Sequence, residues 1–151
     1  MLSCRPLTAS VGRTPDENYG SPKAGCDVTM GLDEFVTQYA KAYEAYDAER
    51  IAEFFFCPCV FLRQDTAVLL DTPAKIRDFL GTALLSYRVN GCTNFVAKLL
   101  EGRRLGTRFA LVDLGWTMTS TGGKMVMQFQ TTYNVVDDTG RWKIYAITRH
   151  D

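Results

Sequence analysis

From Asn90-Gly91 onward the hydropathy of the chain alternates with period two, in four runs joined by links of hairpin length. Successive side chains on a strand point to opposite faces, so such a run makes sense only as one side of a sheet. The runs fall at about 92–101, 107–119, 124–136 and 141–150. Gly102 and Gly106, then Gly122-Gly123, then Asp137-Asp138-Thr139-Gly140 supply the turns between them. Links this short cannot make the crossover that parallel neighbours need, so consecutive strands are antiparallel.

The residues before this meander read as helices with one short hairpin. Leu32, Phe35, Val36, Tyr39, Tyr43 and Tyr46 share one helical face, with Asp33, Glu34, Lys41 and Glu44 opposite. A second, short helix holds Ile51, Phe54 and Phe55 and stops before Pro58. A hairpin follows, 59–64 against 67–70, turned at Asp65-Thr66. The third helix has Thr72 as N-cap and Pro73 at its first position, and Ile76, Phe79, Leu80, Ala83, Leu84 and Tyr87 form its stripe. Helices first and a strand meander last give an α+β domain in the order α-α-β-β-α-β-β-β-β, a curved antiparallel sheet wrapped around three helices.

Alternation then assigns the faces. Ala110, Val112, Leu114, Trp116 and Met118 share one side of their strand, and Asp113, Gly115, Thr117 and Thr119 the other. In the next strand Met125, Met127, Phe129, Thr131, Tyr133 and Val135 oppose Val126, Gln128, Gln130, Thr132 and Asn134. The last strand puts Trp142, Ile144, Ala146, Thr148 and His150 inside. An apolar inner face with a polar outer one is the pattern of an antiparallel sheet solvated on one side.

Composition narrows the function. The chain of 151 residues has room for one domain, and 46% apolar residues are ample for its core. Seventeen basic residues balance seventeen acidic ones, so no net field draws it to nucleic acid. No apolar run approaches the ~18 residues of a membrane span. Residues 1–29, with Pro6, Pro15, Pro22, Gly12, Gly20 and Gly25, show no period and read as a flexible leader to a domain at 30–151. Five cysteines, an odd number, suit a reducing cytoplasm better than a disulfide framework.

Two stretches resemble the nuclear transport factor 2-like superfamily, in particular its SnoaL-like and ketosteroid-isomerase-like members. One is Tyr39 to Val60, above all Tyr-Asp-Ala-Glu-Arg-Ile-Ala-Glu-Phe-Phe from Tyr46 to Phe55; the other is Thr132 to Ile144 with its tight turn and Trp-x-Ile. The resemblance covers Leu32 to Asp151 and implies a cone with a deep pocket at its wide end. The superfamily includes isomerases, cyclases, epoxide hydrolases, dehydratases and proteins without chemistry, so the fold alone names no reaction. In the steroid isomerases a first-helix tyrosine donates to the oxyanion, a carboxylate shuttles the proton, and a protonated acid assists. The resemblance carries these roles to Tyr39, Arg63 and Thr131. Neither Arg63 nor Thr131 is a base, so that isomerisation is not expected. The paired acids of the epoxide hydrolases are not both placed, since Asp113 lies on the outer face and Asp65 at a turn.

The expected pocket is mainly apolar, lined by Tyr39, Phe61, Arg63, Leu114, Trp116, Met127, Phe129, Thr131 and Tyr133. Arg63 either faces it, favouring a carboxylate or phosphate on the ligand, or ends its strand in water beside Asp65, the plainer reading. Tyr39 and Tyr133 either donate to a ligand oxygen or satisfy their hydroxyls within the core. His150, the one histidine, is an acid–base candidate with Tyr39, Arg63 and Asp65, although a solvated place near the C-terminus is the simpler one. Met118, Met125 and Met127 read as an adaptable wall or as ordinary core. Cys57-Pro58-Cys59 lacks a second pair, so no metal is expected, and nothing calls for a cofactor. Three functions remain: a binder of a small hydrophobic molecule, an enzyme in the same pocket, and a homodimeric interaction module. The first is preferred. The homodimer contact would be the outer sheet face carrying Asp113, Thr117, Gln128, Gln130 and Thr132.

Overall fold

A computed structural model describes residues 27–150, with side chains from residue 31 onward. Helix α1 (Asp27–Glu44) begins within the last residues of the segment read as leader, and residues 1–26 lie outside the described residues. Then come α2 (Ala48–Ala52), β1 (Phe55–Arg63), β2 (Thr66–Leu70), α3 (Pro73–Val89), β3 (Asn94–Leu105), β4 (Phe109–Thr119), β5 (Met125–Asp138) and β6 (Arg141–His150). This is the expected α+β order. Phe54 and Phe55 do not belong to the second helix: α2 ends at Ala52, and Phe55, buried, opens β1.

Local chemistry explains the helix starts. The Asp47 carboxylate accepts from the Glu49 and Arg50 amides and caps α2, while the Thr72 hydroxyl accepts from the Lys75 amide at 3.2 Å and caps α3 ahead of Pro73. Gly91, at a φ of +78°, takes the left-handed turn that releases the chain into β3.

The six strands form one unclosed sheet in the order β2-β1-β6-β5-β4-β3. It is antiparallel at every junction but one: β1 lies parallel to β6, because the chain leaves β1 through its hairpin and α3 and returns beside it only at the end. Against its inner face packs α1, whose Tyr39 ring is 5.1–6.3 Å from those of Tyr43, Phe54, Phe55, Trp116 and Tyr133. Aromatic pairs at such spacing contribute ~0.5–1.5 kcal/mol each beyond the area they bury.

The inner row of β4 is as expected, with Ala110, Val112, Leu114, Trp116 and Met118 all buried. Three bulges change the rows elsewhere. An extra residue in one strand bends it and reverses which side chains face in. Leu100 is the extra residue in β3 and lies over Gly115 on the outer face. Val126 is the extra residue in β5, so Met125 pairs with Thr119 and is exposed, against the inner position expected of it. Tyr145 is the extra residue in β6, where the register passes from Val135 opposite Ile144 to Asn134 opposite Ala146. Beyond it Ile147 and Arg149 turn inward. Ala146, Thr148 and His150 share the outer face with Asn134, Thr132 and Gln130, which corrects their expected inner placement.

Candidate ligand cavity

A cavity of about 470 Å³ lies between α3 and the inner face of the sheet. Its size falls within the ~300–1,000 Å³ of small-molecule sites. Tyr39 and Tyr43 reach it from α1, Phe79, Ala83 and Tyr87 from α3, and Trp116, Phe129, Thr131 and Tyr133 from the sheet. Exposed Arg63, Asp78, Thr82 and Ser86 form the rim.

Of the residues expected there, Tyr39, Phe61, Arg63, Trp116, Phe129, Thr131 and Tyr133 border the cavity. Leu114 is fully buried and Met127 half-buried, and neither is part of its wall. Asp65 sits at the β1–β2 turn, where its carboxylate accepts from the Thr66 hydroxyl. His150 is on the outer face, its Nε2 2.8 Å from the Thr132 hydroxyl, which in turn donates to Asp113. The β6 bulge accounts for this. It also brings in Arg149, which was not anticipated. The legible signal was the run Ile144-Tyr145-Ala146-Ile147, apolar on both alternations, where a clean period of two breaks down. The contribution of α3 was missed for another reason: Phe79, Ala83 and Tyr87 belong to the same stripe as core residues Ile76, Leu80 and Leu84.

The floor is a set of buried hydroxyls. Trp116 Nε1 donates to the Tyr133 hydroxyl at 3.0 Å, and the Tyr39 and Tyr43 hydroxyls share a bond of 2.9 Å. The Tyr39 and Tyr133 rings meet edge to face with their centroids 5.6 Å apart. Burial, above all other causes, pushes the phenols of Tyr39, Tyr43 and Tyr133 well above the ordinary tyrosine range. They stay protonated, able to orient a ligand's polar atom but not to abstract a proton. Asp78, at the rim, is the only carboxylate in the described wall.

Three helices on the concave side of a curved, unclosed sheet, with a cavity between, is the architecture of NTF2-like proteins, and solved structures agree. Aln2 from a Streptomyces species superposes with a TM-score of 0.67 at 13% identity, over 83% of this chain and 91% of its own. An NTF2-like protein from Shewanella oneidensis gives 0.66 at 13%, over 82% and 98%. A ketosteroid isomerase-like protein from Erwinia carotovora gives 0.60 at 14%, over 84% and 99%. At these identities the likeness is one of fold alone. No curated protein matches the chain. The model of the NTF2-like protein family DUF6841 matches residues 31–151, and the chain belongs to that family.

Proposed function

We propose that this domain binds a small, largely apolar molecule in the cavity beneath α3. One observation carries the reading: a space of about 470 Å³ walled by Trp116, Phe129, Phe79 and Tyr87, with the Tyr133 and Thr131 hydroxyls as its few polar points. An apolar shell with a small number of placed polar groups is what a small-molecule site needs. The test is native mass spectrometry of the purified protein, followed by a thermal-shift screen of small aromatic compounds. A true ligand at a hundredfold its Kd stabilises the fold by about 2.7 kcal/mol. If no compound raises the Tm, and none co-purifies, the reading fails.

Catalysis in the same cavity is the weaker proposal. Tyr39 and Tyr133 supply hydrogen-bond donors for a developing oxyanion, yet the floor offers no base, with His150 on the other side of the sheet. Proton abstraction would fall to Asp78 at the rim.

A homodimer across the outer sheet face is proposed alongside ligand binding. That face leaves Leu69 57%, Val96 50% and Leu100 46% exposed around the polar centre of Asp113, Thr132 and His150. Burying such side chains contributes ~25 cal/mol per Å². Light scattering after size exclusion decides it: a monomer at micromolar concentration contradicts the dimer. Among the described residues no helix is long and apolar enough to cross a membrane. The reducing cytoplasm is the proposed compartment, supported by the free thiols of Cys57, Cys59 and Cys92.

A further inference from the structure

The floor of the cavity has more protons to give than oxygens set to receive them. Trp116, Tyr133, Tyr39, Tyr43 and Thr131 all line it, and all are buried. Among the described residues Trp116 donates to the Tyr133 hydroxyl, and Tyr39 shares a bond with Tyr43. A hydroxyl brings one proton to give and an oxygen to receive, so any number of hydroxyls can be linked in balance. An indole N–H can only give. With the Tyr133 oxygen taken as its acceptor, the set is left with one proton over, whichever way the other hydroxyls turn. Burial keeps the phenols of Tyr39, Tyr43 and Tyr133 protonated, so none of them becomes a pure acceptor. The carboxylate of the described wall, Asp78, stands exposed at the rim on α3.

The walls add a shape. Trp116 and Phe129, a cross-strand pair of β4 and β5, hold their rings within 21° of parallel with centroids 6.4 Å apart. Together they make a flat shelf on the inner face of the sheet. From α3 come Phe79, Ala83 and Tyr87, each one helical turn from the next, and the small Ala83 side chain between two rings leaves the hollow open. A shelf of this kind suits an aromatic ring laid on it with an offset.

We propose that the ligand is a flat aromatic molecule whose inner end carries a hydrogen-bond acceptor with no proton of its own, a pyridine-type nitrogen or a carbonyl oxygen. Its body lies between the Trp116–Phe129 shelf and Ala83, and its acceptor takes the proton left over in the floor. This rests on the ligand-binding reading above and specifies the ligand's chemistry. The probes are quinoline, indanone and indole, two-ring compounds uncharged at neutral pH. The first two offer a lone pair and the third a proton. Affinities are read by heteronuclear NMR titration from the backbone amides of Ala83 and Thr131, in wild type and in Trp116→Phe, with circular dichroism as the check on folding. A buried donor left unpaired is costly, so at least one acceptor should bind wild type about fivefold or more tighter than indole. Which of the two does so names the atom the floor takes. Trp116→Phe keeps a ring on the shelf but removes the group that can only give. The hydroxyls can then reverse together, and the ratio to indole should fall to within about twofold. Should the variant fail to fold, the acceptors isotope-labelled at nitrogen or carbonyl carbon serve with wild type: the bound resonance of the preferred one should lie near its value in alcohol. Indole that binds as tightly as both acceptors, a preference that survives Trp116→Phe, or a bound resonance at its hydrocarbon value overturns this proposal and leaves the ligand-binding reading standing. If none of the three binds, this proposal falls, and co-purification with the thermal-shift screen decides the broader reading.

Discussion

Replacing Tyr133 by Phe removes one oxygen from the floor of the cavity and nothing else. That oxygen accepts the indole N–H of Trp116 at 3.0 Å. Trp116 and Tyr133 are 2% and 4% exposed, so water cannot readily replace the lost partner. A buried donor stripped of its acceptor costs ~1–3 kcal/mol, against the ~0.5–1.5 kcal/mol of an ordinary hydrogen bond. For a domain of this size about 1 kcal/mol lowers Tm by roughly 3–6 °C, so Tyr133→Phe should lose about 3–18 °C. Tyr43→Phe is the matched control, since that hydroxyl's side-chain bond is the one to Tyr39, and it should lose less. Thermal denaturation followed by circular dichroism and by tryptophan fluorescence gives both values. If Tyr133→Phe is as stable as wild type, or costs less than Tyr43→Phe, the Trp116–Tyr133 hydrogen bond is not the buried, water-excluded contact described.

Filling the cavity from α3 with Ala83→Trp should abolish ligand-induced thermal stabilisation without unfolding the domain, as read by the same thermal shift; retained stabilisation would place the site elsewhere. His150→Ala should leave ligand affinity unchanged in calorimetry, because the imidazole lies across the sheet with Thr132. Burial pushes the Cys59 thiol from 9.0 up to about 12, so the folded chain keeps a proton that the unfolded chain loses. Its contribution to stability is therefore complete below pH 9 and lost as pH rises toward 12, and the buried tyrosines act in the same direction. Urea midpoints should fall across that window, and a flat or rising profile would contradict the burial of these groups.

The regular parts of the fold were legible because their physics is local. Thr72-Pro73 names a helix start by itself, and the β4 row from Ala110 to Met118 needs only a period of two. What escaped was the phase of that period after a bulge. Tyr145 adds one residue to β6, exchanging the inward His150 for Arg149, and Val126 does the same for Met125. An extra residue alters register without altering composition, so its mark on the sequence is faint. At the site, the aromatic floor was readable from the strands. The α3 wall was not, because a helical stripe over a hollow looks the same as one over a packed core.

The two tryptophans give the most direct measurement of the central claim. Trp116 lines the cavity beneath α3, whereas Trp142 lies apart from it, with Gly31, Phe54 and Lys143, under the guanidinium of Arg104. In a heteronuclear NMR titration with a compound that raises Tm, the Trp116 indole N–H resonance should shift saturably and that of Trp142 should stay in place. A titration in which only Trp142 responds, or in which neither moves while the protein is stabilised, would contradict a ligand site between α3 and the sheet.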